Sequence, residues 1–202
     1  MTNKIRILIA EDQSLVRGAL IALLDAERDL EVVAECATGT EAVELVRNQP
    51  VDVALLDIEM PGLNGLDAAQ ELAETPCRCL IVTTFGKPGY VKRAMETGVD
   101  GFVVKDIPPE ELADAIRRIY SGLRVIDPTL AQESLLTPNN PLSEREIEVC
   151  QQLYLGKASS SIAVALHLSP GTVRNHISSI MSKTQACNRY EAAHLAKTNG
   201  WI

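Results

Sequence analysis

Over residues 5–121 the apolar positions change period repeatedly, and that alternation is the main signal in the chain. Short apolar runs at 5–10, 30–36, 53–57, 80–83 and 102–104 are each closed by polar or turn residues and read as strands. Several lack polar alternation, the pattern of strands buried on both faces of a parallel sheet. Between them, 13–24, 39–48, 66–74, 90–97 and 108–121 place apolar residues three and four apart and read as helices. In 13–24 that set is Leu15, Ala19, Leu20, Leu23 and Leu24. Gly98 and Gly122 stop two of the helices, and Pro108 opens the last. Five strands alternating with five helices predict an α/β domain of flavodoxin-like type. Its parallel five-stranded sheet runs in the order 2-1-3-4-5, with right-handed connections.

The pattern then changes. Residues 123–138 carry Pro128 and Pro138 around one apolar segment, 130–136, and read as a linker holding one or two helical turns. From Leu142 onward the spacing is helical throughout, at 143–155, 159–166, 172–184 and 189–199. Ser143 and Glu146 make a capping-box signature. Ser169 and Pro170 suit the N-cap and first helical position of the third helix. The expected division is 1–122, 123–138 and 139–202, the last a small all-α four-helix domain.

Composition narrows the class. With 202 residues, 46% of them apolar, the chain has ample material for two cores and is not a disordered one. No run reaches the about 18 apolar residues of a membrane span, and Met1–Lys4 leads into a strand without a secretory signal pattern. A cytoplasmic protein with no membrane partner is expected. Five scattered cysteines, with only Cys77 and Cys79 close together, fit reduced thiols better than a zinc site. The net charge of −8 is uneven: residues 139–202 hold six Lys/Arg against four Glu, a net of +2 that leaves −10 on residues 1–138. A mildly basic tail on an acidic body points to the tail as the part that meets polyanions.

The candidate chemistry sits at strand ends. In the order 2-1-3-4-5 the switch point lies between the first and third strands, where such sheets bind ligands. Glu11-Asp12 ends the first strand and Asp57 the third, so three carboxylates converge. Without a partner they repel. A hard divalent cation, Mg²⁺ or Mn²⁺, resolves the conflict through Asp12, Asp57, the backbone carbonyl of Glu59 and, through water, Glu11. Such a site makes Asp57 competent to form an acyl phosphate. Lys105 and Thr83, ending the fifth and fourth strands, supply an ammonium and a hydroxyl for phosphate oxygens. Singly, Lys105 is ordinarily a solvated loop lysine and Thr83 an ordinary strand residue; their convergence on one face carries the reading.

The Glu11-Asp12 pair, Asp57 followed by Met60-Pro61-Gly62, Thr83, and Lys105 after Gly101-Phe102-Val103-Val104 together resemble a response-regulator receiver domain. The resemblance implies that Asp57 is the phosphoacceptor and that Glu11 and Asp12 hold the metal. It further implies that Lys105 contacts the phosphoryl group, with Thr83 as switch hydroxyl, Thr84 beside it and Phe102 as switch aromatic. Phosphorylation by a sensor histidine kinase is implied, drawing in Thr83 and turning Phe102 inward, with homodimerisation through the fourth helix–fifth strand–fifth helix face or through the first and fifth helices.

In the tail, helix 172–184 presents Thr172, Arg174, Asn175, Ser178 and Lys183 on one side and Val173, Ile177, Ile180 and Met181 on the other. A polar, basic N-terminal half after a tight turn suits a helix that enters the major groove. Arg and Asn fit guanine and adenine edges; Lys, Ser and Thr mainly hold phosphates. Periodicity alone leaves a four-helix interaction bundle open. Leu142-Ser143-Glu144-Arg145-Glu146 and Leu168-Ser169-Pro170-Gly171-Thr172-Val173-Arg174-Asn175-His176 resemble the LuxR-type DNA-binding domain, and the whole chain resembles NarL/FixJ-type regulators. This implies binding of double-stranded DNA at a pseudo-palindromic site, with the last helix pairing two domains. The segment Ala158-Ser159-Ser160-Ser161 departs from the family, which usually carries Lys and Glu there. The loop at 84–90 resembles the DesR-like branch, implying control of membrane-lipid or envelope-stress genes. A phosphoaspartyl enzyme would need a substrate-enclosing cap that no insertion supplies, and a flavodoxin would find its phosphate repelled by the acidic crevice.

Overall fold

The computed structural model describes residues 4–84, 88–126, 131, 132, 134 and 138–202, Pro88 by its backbone alone. The chain divides into two compact units, and each is described by itself.

In the first unit β1 (Ile5–Ala10), β2 (Leu30–Cys36), β3 (Val53–Leu56), β4 (Arg78–Thr83), β5 (Gly101–Val104) and β6 (Val125–Ile126) form a single parallel sheet. Its order is β2-β1-β3-β4-β5-β6. The order expected for five strands holds, and the strand count is corrected to six. Val125–Ile126, read from sequence as linker, pairs with Gly101 and Phe102 and so extends the sheet edge. Within the rest of the expected linker, residues 127–130, 133 and 135–137 lie outside the described residues.

Five helices cross over between strands: α1 (Ser14–Asp25), α2 (Gly39–Asn48), α3 (Gly65–Leu72), α4 (Pro88–Thr97) and α5 (Pro109–Tyr120). Strand alternation divides the core. Ile5, Ile7 and Ile9 join Val53, Leu55, Leu80, Val82 and Val103 in a layer with Leu24 of α1 and Leu112, Ile116 and Ile119 of α5. Leu8, Ala54, Leu56, Ile81 and Phe102 alternate with that set and are also fully buried. Helix α1 departs from the expected pattern. Of its apolar residues only Leu24 is buried, and Leu15 is 85% exposed. Gly18, Ala19, Ala22 and Leu23 are exposed with it.

The second unit contains α6 (Glu144–Tyr154), α7 (Ser159–Ala165), α8 (Pro170–Thr184) and α9 (Arg189–Thr198) around Val149, Leu153, Ile162, Val173, Ile177, Ile180, Ala192 and Ala196. The capping box at Ser143 and Glu146 is present, and Ser169 caps α8 by accepting from the Thr172 amide. By contrast, α7 starts after Ala158 with no side-chain cap, so its serines do not close that helix end. His167, in the turn between α7 and α8, and Gln185, after α8, are the two non-glycine residues with positive φ among those described, at 53° and 56°. None of the described helices is long and apolar enough to cross a membrane. All five cysteines are free: Cys36, Cys77, Cys79 and Cys150 are buried and Cys187 is exposed. Burial pushes the Cys36 and Cys150 thiols up to about 11 and Cys77 up to about 12, with Cys79 raised as well.

Candidate functional site: an acidic cleft and an exposed helix

The parallel ladder carries the acidic residues to one edge. The Asp57 amide donates to the Ala10 carbonyl at 2.9 Å and the Glu11 amide to the Cys36 carbonyl at 3.1 Å. Pairing thus continues one residue past β3 and β1 and sets both side chains at the sheet's C-terminal rim. Glu11 is 1% and Asp57 4% exposed, while Asp12 stands in solvent. One carboxylate oxygen from each of the three lies within 4.8 Å of the others. Helix α3 closes against the same point, since a Cβ on Gly65 would stand 2.1 Å from the Asp57 carbonyl oxygen. Only glycine permits that approach.

Lys105 completes the cluster. Its backbone amide donates to the Thr83 carbonyl at 2.7 Å, aligning the ends of β4 and β5. Its Nζ lies 2.6 Å from Glu11 Oε2 and 3.1 Å from Asp57 Oδ1. Burial pushes the Asp57 carboxyl above its ordinary value and the Glu11 charge adds to this, while the Lys105 ammonium only partly opposes them. For Lys105, burial works against the ammonium, but the hydrogen bond to Glu11 and the charge of Asp57 outweigh it and raise its pKa. One ammonium shared by two buried carboxylates, with a third alongside, leaves excess negative charge in a low-dielectric rim. Oxygen donors only, close together and partly open to solvent, are the set a hard divalent cation takes. The residues therefore fit the expected Mg²⁺ or Mn²⁺, with Glu11, Asp12 and Asp57 as holders.

The other residues named from sequence are placed as follows. Thr83 is buried at the end of β4, and Thr84 next to it is exposed. Phe102 pairs in register with Ile81 and is fully buried, so the inward rotation implied by the family has no outward starting point in this structure. Glu59 is exposed on the bend after Asp57. One participant escaped the sequence reading. Arg17, the lone charged residue of α1 before Asp25, donates from Nη1 to the Glu11 carbonyl at 2.6 Å and from Nε to Glu35 Oε2 at 2.9 Å. A single arginine in an otherwise apolar helix is the signal that could have marked it.

On α8, Arg174, Asn175 and Ser178 are exposed as expected, and Val173, Ile177 and Ile180 face the core. Thr172 is half-buried, its hydroxyl 2.8 Å from that of Ser169. Lys183 is exposed as well, and its Nζ lies 2.6 Å from Glu146 Oε2, to whose Oε1 Ser179 donates at 2.6 Å. Glu146 also accepts from the Ser143 amide at 2.7 Å. Burial works against the charged Glu146, yet bonds from Lys183, Ser179 and Ser143 prevail and lower its pKa to about 2. Lys183 is thus exposed as expected and also pairs with a carboxylate from another helix.

Comparison with known proteins places both units. Residues 7–117 match the response regulator receiver domain, and residues 140–196 match the luxR family of bacterial regulatory proteins. The chain is 48% identical over 198 residues to the transcriptional regulatory protein DesR of Bacillus subtilis, covering 98% of this chain and 99% of that one. Among solved structures, the response regulator ChrA of a heme-sensing two-component system matches at 32% identity and TM-score 0.57, over 99% of this chain and 100% of that one. An RcsB–DNA complex matches in fold at 20% identity and TM-score 0.63, over 97% and 99%.

Proposed function

Since the chain belongs to the response regulators that join a receiver domain to a LuxR-type DNA-binding domain, and is a transcriptional regulator, we propose that phosphorylation of Asp57 by a sensor histidine kinase switches it. The observation that carries this reading is the Lys105 ammonium held between Asp57 and Glu11 at the sheet rim. An Asp57 carboxylate oxygen attacks phosphorus while the bond from phosphorus to the kinase histidine nitrogen breaks. Lys105 stands within reach of the transferred oxygens, and Thr83 ends the neighbouring strand with its hydroxyl. A divalent cation held by Glu11, Asp12 and Asp57, with the Glu59 carbonyl, would supply charge neutralisation for the transferring group. The phosphoryl group draws on Thr83 and Thr84, and Phe102, already enclosed, keeps its place as the packing partner of that strand. Hydrolysis of the acyl phosphate resets the site; no other catalysis is proposed.

The output we propose is homodimerisation and binding of two α8 helices to a pseudo-palindromic DNA site. Arg174 and Asn175 read guanine and adenine edges, and Thr172 and Ser178 contact phosphates. Of the two receiver faces named above, that of α1 is favoured by its exposed Leu15, Gly18, Ala19, Ala22 and Leu23. A helix apolar on all sides is ordinarily covered. A receiver domain that runs through Ile126, a DNA-binding domain at 139–202, a cytoplasmic location and control of membrane-lipid or envelope-stress genes complete the proposal.

Incubation with acetyl phosphate and Mg²⁺ tests the core of it. The wild-type chain gains one phosphoryl group by mass and Asp57→Asn gains none; equal uptake by the variant would overturn the assignment.

A further inference from the structure

We infer that Arg17 is the positioning residue of the Glu11–Asp12 turn and links occupancy of the acidic cleft to helix α1. This inference rests on the function proposed above. Three observations bear on it. First, α1 begins directly after the acidic pair, and its N-cap, Gln13, makes no side-chain hydrogen bond. Its first turn holds no acidic residue either, so the helix start has no local anchor of the usual kind.

Second, the anchors it does have run through Glu11 and Arg17. The Gln13 amide donates to Glu11 Oε1 at 3.1 Å, while the other oxygen of that carboxylate holds Lys105 at 2.6 Å. Arg17 reaches back one turn to the Glu11 carbonyl at 2.6 Å and, with its Nε, to Glu35 at the end of β2 at 2.9 Å. Glu11 is thus gripped at both its side chain and its main chain by α1. A guanidinium is suited to this task because its donors point in fixed, divergent directions, which an ammonium cannot reproduce.

Third, the contact adds little to the fold. Glu35 is 55% exposed, and an ion pair so solvated contributes weakly to stability. A precise grip of low stabilising value at the edge of a charged cleft fits a positioning role. A divalent cation held by Glu11 and Asp12 would shift that turn, and the displacement would pass to α1 through the Gln13 amide and Arg17; α1 carries the exposed apolar face. The route is separate from the one through Thr83 and Phe102.

The test uses the full chain with Mn²⁺ as probe, followed by the loss of its free-ion resonance signal, and sedimentation before and after acetyl phosphate treatment. Relative to wild type, Arg17→Met binds Mn²⁺ about tenfold more weakly, the size expected when a ligand's supporting hydrogen bond is lost. Glu35→Gln weakens it less, and Arg17→Lys recovers only part of the loss. At saturating metal Arg17→Met still gains one phosphoryl group but stays monomeric at concentrations where the phosphorylated wild type dimerises. Wild-type Mn²⁺ affinity in Arg17→Met overturns the positioning role; normal dimerisation of its phosphorylated form overturns the link to α1. If Arg17→Met does not fold, Glu35→Gln and Arg17→Lys carry the same two readouts. A wild-type chain that takes up no phosphate sinks the proposed function instead, and the Mn²⁺ titration still decides the role of Arg17.

Discussion

Asp57 and Glu146 are buried to the same extent, each 4% exposed and each beside a lysine, yet their acidities move in opposite directions. Asp57 shares its ammonium with Glu11 and stays above its ordinary range; Glu146 has Lys183, Ser179 and the Ser143 amide to itself and drops to about 2. Burial costs both. What differs is how completely each charge is answered. A fully answered carboxylate serves as a clamp between α6 and α8, whereas an under-answered one keeps the excess charge that the proposed phosphoacceptor role would use. Burial and a lysine neighbour alone do not distinguish the two.

The contrast breaks most sharply under substitution. Glu146→Gln leaves the half-solvated Lys183 ammonium without its counter-charge and weakens the bonds from Ser179 and Ser143, and should lower the stability of the helical unit by about 1–1.5 kcal/mol, read by thermal or urea unfolding. A loss within 0.5 kcal/mol, roughly the range of an ordinary surface change, would mean that the clamp is not structural. Asp57→Asn should act the other way. Removing a charge that the rim disfavours leaves Lys105 to Glu11 and should stabilise the receiver unit, read as a higher melting temperature, even as phosphate uptake disappears. A destabilised Asp57→Asn would place Asp57 in the same class as Glu146.

Acid sharpens the comparison further. A carboxyl with a lowered folded pKa contributes stability above its unfolded value, and this is lost as pH falls through the folded one. For Glu146 the window runs from its ordinary 4.5 down to about 2. Asp57, with a raised folded pKa, behaves oppositely: its ionisation costs stability as pH rises above the ordinary 3.8, and acid relieves that cost. Unfolding followed from pH 6 to pH 2 by probes in each unit should therefore show a steeper acid loss in the helical unit, which Glu146→Gln flattens. The smallest effect expected is at the end of α8, where Gln185 adopts φ 56°. Gln185→Gly should raise stability by about 0.5–1 kcal/mol, a melting shift of a few degrees, without touching either carboxylate.

The two regions also differ in how they appear in the sequence. Parallel strands are unbroken apolar blocks, so a polar residue at the end of each block stands out, and Glu11, Asp57, Thr83 and Lys105 were legible for that reason. The helices and the sheet order followed from the same alternation. What escaped depended on contacts between distant residues. Val125–Ile126 is too short to carry a period and becomes a strand only beside Gly101–Phe102. Leu15 and Leu23 share the helical spacing of Leu24, and periodicity does not say which face of α1 meets the sheet. Lys183 lies on the polar side of its own helix as expected, and only its partner, Glu146, 37 residues away, was not legible. The partners of Arg17, a residue of another strand and a main-chain carbonyl, are encoded by no spacing in the sequence.

The distribution of thiols has a practical use. Four of the five sulfur atoms are enclosed and held in the unreactive protonated form, while Cys187 is open to solvent just before α9. A maleimide dye should therefore attach at one position of the native chain, with no cysteine replaced. If two copies pair on DNA as proposed, such a label ahead of α9 would turn self-quenching between them into an optical signal of assembly.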